Sequence, residues 1–146
     1  MLIFGRWQAC DDGIVRPIIE GEVLSADGAT WEPTEFLADV GADRTVFNAE
    51  FLTTLALPQL TAFHQLGGVG GAASTVVIRT QIRFALDGGR HLIMQGSFAG
   101  FTNPSAIDMN ILGRDITNLF ALIVDRQGDV VCMIGKGHQY AITTQL

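Results

Sequence analysis

The chain reads as mainly β, a small closed barrel with one or two short helices, and three observations carry that reading. β-Branched or alternating apolar runs follow one another at regular spacing. Asp-Gly and Gly-Gly turn signals separate them. Only two stretches switch to a helical period, and both are brief. With 146 residues the chain suits one domain, 1–146, with a sizeable core, and no repeat or low-complexity linker divides it.

Residues 1–13 look irregular. "IVRPIIEGEVL" (Ile14 to Leu24) is β-branched and partly alternating, "SADGAT" supplies hairpin chemistry, and "WEPTEFLADV" returns as the partner strand. Pro33 belongs at an edge or a start, where a missing N–H is tolerated. From Asn48 the pattern turns helical: Asn48 suits an N-cap, Glu50 the first turn, and Phe51, Leu52 and Leu55 share a face until Pro58. "HQLGGVGGAAST", about 64–75, is a glycine-rich hairpin tip between strand-like flanks. "STVVIRTQIRFAL" and "HLIMQGSFAGFT" pair across "DGGR". In "MNILGRDITNLF" an apolar strand meets Gly113 and passes into a short helix. "ALIVDRQGDVVCMI" is a further hairpin, and the terminal segment, about 138–146, reads as a last strand.

Composition removes several function classes. Nine Lys and Arg against fifteen Asp and Glu leave a net charge of −6, so the clustered cations that phosphate binding needs are missing and nucleic acid is not an expected partner. No apolar run approaches the roughly eighteen residues of a membrane span. The N-terminus lacks a basic leader, and Cys10 and Cys132 lack CxxC spacing, so free thiols and a cytoplasmic location are expected. His64, His91 and His138 share no ligand-like spacing; no metal and no other cofactor is expected. A hydrophobic share of 48% is high for so small a chain, and a subunit interface would cover the excess.

One acid stands out. "FLADVGADRTVF" ends an apolar strand at Asp39 and follows it at once with Val40 and Gly41. An unpaired ion entering a core costs several kcal/mol, so Asp39 is either the strand's exit or a working group. Gly41 would let the loop turn tightly beside it. Asp11 and Asp12 follow no apolar strand and read as a solvated turn. Cys132, inside an apolar strand, reads as a packed thiol.

Three landmarks taken together resemble the retropepsins, the single-domain aspartic proteases of retroviruses and their bacterial relatives: "ADVGAD", the glycine-rich "GGVGG", and "NILGRDI". The resemblance implies a retropepsin barrel acting as a homodimer on a peptide or protein substrate. It makes Asp39 the catalytic acid, one from each subunit. Asp43 would accept hydrogen bonds from substrate backbone, Arg114 would brace Asp43, and Gly113 would pack closely behind the Asp39 loop. Gly67, Gly68, Val69, Gly70 and Gly71 would form a flap, and the terminal strands would help build the dimer sheet. Ala42 matches the family pattern. Val40 departs from it: the family carries Thr or Ser there, whose hydroxyl bonds across the dimer axis, and its loss is expected to loosen the mounting of Asp39. Two other readings stay open, a dimeric peptide-binding module with little turnover and a monomeric β-barrel partner.

Overall fold

Alternation, turn chemistry and apolar packing give, among the described residues of the computed structural model, ten strands and two α-helices: β1 (Leu2–Ala9), β2 (Val15–Leu24), β3 (Trp31–Ala38), β4 (Val46–Phe47), α1 (Ala49–Leu55), β5 (Leu60–Gly68), β6 (Gly71–Ala85), β7 (His91–Phe101), β8 (Asn110–Leu112), α2 (Arg114–Thr117), β9 (Ala121–Asp125) and β10 (Val130–Ile134). The structure describes residues 1–68 and 71–135, the side chains of 61–68 and 72 apart. The expected flap residues Val69 and Gly70 and the expected terminal strand 138–146 lie outside the described residues.

The strands form one sheet in the order β5-β6-β7-β4-β8-β3-β2-β1-β10-β9. β6 also pairs with β2, Glu22 opposite Arg83 and Val23 opposite Ile82, which folds the sheet back over its own inner face. That face holds the core: Phe36 stands 6.0 Å from Phe47 and 6.3 Å from Phe84, and Phe47 meets Phe98 edge-on at 6.0 Å. Each such ring contributes about 1.5–3 kcal/mol by leaving water.

Residues 2–9 are a strand where an irregular start was expected. Their pattern is broken by Gly5 and Arg6, but Leu2–Phe4 pair with β10 and Gly5–Ala9 with β2, so partners on both sides order the segment. Gly5 is needed there, because a Cβ would lie 2.2 Å from the Ile18 carbonyl oxygen. Pro33 sits opposite Glu22 of β2, in the part of β3 that β8, paired only with Phe36–Ala38, does not reach, so it has a paired strand on one side alone. α1 begins as its sequence predicts: the Asn48 side-chain oxygen accepts the Phe51 N–H at 2.8 Å. It ends at Ala56 in the left-handed region, φ 51°, and buries Leu52 and Leu55. β5 and β6 form a hairpin in which Gly67 opposes Ala72 and Gly68 opposes Gly71.

The connection that positions the site is parallel. β3 and β8 run side by side, Phe36 with Asn110, Leu37 with Ile111 and Ala38 with Leu112. β4 then pairs with both β7 and β8. The chain leaving β3 must therefore loop over the end of β8 before it enters β4, and that loop is residues 39–45.

Candidate active site

Asp39 is the first residue past β3, half-buried at the loop's entry. Its own N–H donates to the Leu112 carbonyl at 3.2 Å, which ties it to the end of β8. Its carbonyl accepts the Ala42 N–H at 3.2 Å, closing a tight turn. Its carboxylate accepts the Gly41 N–H at 2.8 Å. A Cβ on Gly41 would stand 3.0 Å from the same carboxylate oxygen, so glycine lets the amide come this close. Among the described residues, each of these hydrogen bonds of Asp39 is thus made with main chain. The Val40 side chain takes no part and is 62% exposed.

Behind this turn the loop is fastened to α2. The Arg114 N–H donates to the Ala42 carbonyl at 2.8 Å and the Asp115 N–H to the Asp43 carbonyl at 3.3 Å. The Arg114 guanidinium also bonds the Asp43 carboxylate. Both side chains are largely exposed, so their charge attraction adds little stability and the pair acts mainly as an orienting contact. Gly113 makes the approach possible: a Cβ there would lie 2.2 Å from the Arg44 carbonyl carbon and 2.7 Å from the Thr45 nitrogen.

A second brace was not anticipated from sequence. Thr45 is fully buried. Its N–H donates to both Asp115 carboxylate oxygens at 2.9 and 3.0 Å, and its hydroxyl donates to one of them at 2.7 Å. The same hydroxyl accepts the Gly113 N–H at 3.1 Å. One threonine thus joins the far end of the Asp39 loop to the first turn of α2. The available signal was a lone hydroxyl heading the apolar "TVF" and an acid closing "LGRD".

The structure therefore brings Asp39, Val40, Gly41, Ala42, Asp43, Gly113 and Arg114 together. Gly67, Gly68 and Gly71 lie on the β5–β6 hairpin, separate elements from that loop. Cys132 is buried in β10, and burial pushes its thiol up, which suits packing and not nucleophilic attack.

A family model for the retroviral aspartyl protease matches residues 11–122, a span that holds the whole of this constellation. The fold is similar to that of the EIAV protease complexed with the inhibitor HBY-793, with a TM-score of 0.52 and 26% identity over 70% of this chain and 86% of that one. It is also similar to a retropepsin-like aspartic protease from Rickettsia conorii, with a TM-score of 0.51 and 16% identity over 91% of this chain and 88% of that one, a likeness of fold alone. No curated protein sequence matches the chain.

Proposed function

This chain belongs to the retroviral aspartyl protease family, and from that premise we propose that it is an aspartic endopeptidase whose active site is completed by two copies of Asp39 in a homodimer. Peptide hydrolysis without a covalent intermediate needs a base to take a proton from water and an acid to give one to the carbonyl oxygen, both at one pH. Two carboxylates about 3 Å apart do both, because like charges at that distance cannot both ionise and so share one proton.

The observation that carries this reading is the state of the site's acids. Asp43 is engaged by Arg114 and Asp115 by Thr45, so neither is a free second carboxylate. Asp39 alone is presented at a strand end with its orientation fixed by main chain. A twofold axis beside the loop supplies the missing acid from an identical residue. In the reaction the ionised Asp39 takes a proton from water as the oxygen bonds the peptide carbon, and the protonated Asp39 gives its proton to the carbonyl oxygen. The Asp39 that took the water proton then gives it to the nitrogen as the C–N bond breaks. A hydroxyl of the diol loses its proton to the other Asp39 as the carbonyl re-forms, so the dyad again holds one shared proton. Asp43 is the proposed acceptor for substrate N–H groups, and the β5–β6 hairpin the proposed flap that covers an extended peptide.

Digestion of a broad peptide library between pH 4 and 7, with Asp39→Asn as control, tests the proposal. Cleavage by the wild type that falls by at least about 10³-fold in the variant is expected. A wild type that cleaves nothing, or a variant that cleaves as well, refutes it.

A further inference from the structure

Arg44 is exposed, and among the described residues its guanidinium has neither an ion pair nor a hydrogen bond. Each of the other described arginines holds an oxygen. Arg6, Arg16, Arg83, Arg114 and Arg126 pair with carboxylates, Arg79 donates to the Ser97 hydroxyl and Arg90 to the Asp87 carbonyl. Nine cations share this chain with fifteen acids, so a cation without a partner runs against the composition. It stands in the loop that carries Asp39, one residue past Asp43. Its main chain is pinned: a Cβ on Gly113 would lie 2.3 Å from the Arg44 carbonyl oxygen, and the next residue, Thr45, is buried and bonded to Asp115. The base of the Arg44 side chain is therefore fixed while its charge stays in water.

We propose that Arg44 sets the specificity of this site by selecting peptides that carry Asp or Glu close to the scissile bond. The inference rests on the reading of Asp39 and Asp43 given above. Consecutive Cα atoms are about 3.8 Å apart, so a peptide whose main chain is held at Asp43 runs within reach of the long Arg44 side chain. The planar guanidinium offers a carboxylate two parallel hydrogen bonds, a match that neutral side chains do not make. Arg114 already balances Asp43, which leaves Arg44 as the uncompensated positive charge of the loop. The chain as a whole, at −6, repels acidic peptides, so the selection is local to the site. Twofold symmetry supplies an Arg44 from each subunit, and the preference falls on both sides of the cleaved bond.

Cleavage of a peptide library by the full chain at about pH 6, where Asp and Glu side chains are ionised, tests this, with Arg44→Gln and Arg44→Glu alongside and circular dichroism to check their folding. In the wild type, peptides with Asp or Glu at the selected positions are expected to show a kcat/KM at least about threefold above their Asn or Gln counterparts, the scale of an exposed ion pair. The difference should lie in KM. It should vanish in Arg44→Gln and turn into a preference for Lys or Arg in Arg44→Glu, whereas a merely structural role would lower cleavage of all peptides and leave their order unchanged. In the wild type alone it should also shrink between about 0.05 and 1 M salt, a readout that does not depend on either variant folding. Cleavage without an acidic preference, a preference indifferent to salt, or one that survives in Arg44→Gln overturns the role of Arg44 and leaves the peptidase reading standing. A wild type that cleaves nothing overturns both.

Discussion

Replacing Thr45 by Val tests how far the Asp39 loop depends on one buried hydroxyl. The two side chains have nearly the same shape, so the substitution removes chemistry and little volume. It deletes a 2.7 Å hydrogen bond to the Asp115 carboxylate, worth about 1.5–3 kcal/mol because the acceptor is charged. It also strips the Gly113 N–H of the partner it holds at 3.1 Å, and a buried orphan donor costs about 1–3 kcal/mol. Added together, and reduced for the apolar gain of an extra methyl group, the expected loss is about 3 kcal/mol. Against a total stability of about 5–15 kcal/mol that is a large share. Urea unfolding at one fixed protein concentration reads it directly; with a slope of about 1–3 kcal/mol per molar, the midpoint should fall by more than about 1 M. Asp115→Asn, which keeps an oxygen acceptor but loses its charge, should lose about half as much, and Thr45→Ser should stay near wild type. If Thr45→Val shifts the midpoint by less than about 0.3 M, the brace is not what holds the loop.

Three further outcomes follow from the same geometry. Gly113→Ala places a methyl 2.2 Å from the Arg44 carbonyl carbon, and since backbone cannot yield as a side chain does, a loss of at least about 3 kcal/mol is expected; a folded variant within about 1 kcal/mol of wild type contradicts the close packing. The Thr117 hydroxyl is buried with no hydrogen-bond partner among the described residues, so Thr117→Val should raise stability by about 1 kcal/mol, and an unchanged or lower midpoint counts against it. Arg83 grips Glu22 with two bonds, at 2.6 and 3.0 Å, and holds its carboxyl below the usual range. A folded-state pKa lowered in this way gives stability that is present above the unfolded carboxyl's ordinary value and lost as pH falls through the lowered one. Glu22→Gln should therefore unfold at lower urea than wild type at pH 7, and the gap should narrow as pH falls below the ordinary carboxyl range; a gap that stays constant as pH falls would show that the pair is not the cause.

Much of this molecule was legible because local chemistry and global position agreed. Asn48, Glu50 and the Leu52–Leu55 face marked α1 without ambiguity, and the hairpins around "SADGAT", "DGGR" and "DRQGD" each carried their own turn residues. Asp39 was visible as an acid where an apolar strand should have ended. The N-terminal strand was not, since Gly5 and Arg6 interrupt its alternation and its order comes from β2 and β10, which lie elsewhere in the chain. Thr45 and Asp115 were hidden for the same reason. Each is ordinary in its own neighbourhood, and their bond exists only because β3 and β8 run in parallel. Pairings of that kind leave no periodic trace in sequence.

Seventy residues separate Thr45 from Asp115, and the whole β5–β6–β7 excursion lies between them. Contacts of such long sequence separation carry a loop-closure cost, which slows folding. A chain interrupted anywhere in that excursion can hold its N-terminal hairpin yet has nothing against which to set Asp39. The brace on the Asp39 loop is therefore a property of the closed fold and not of any one stretch of the chain.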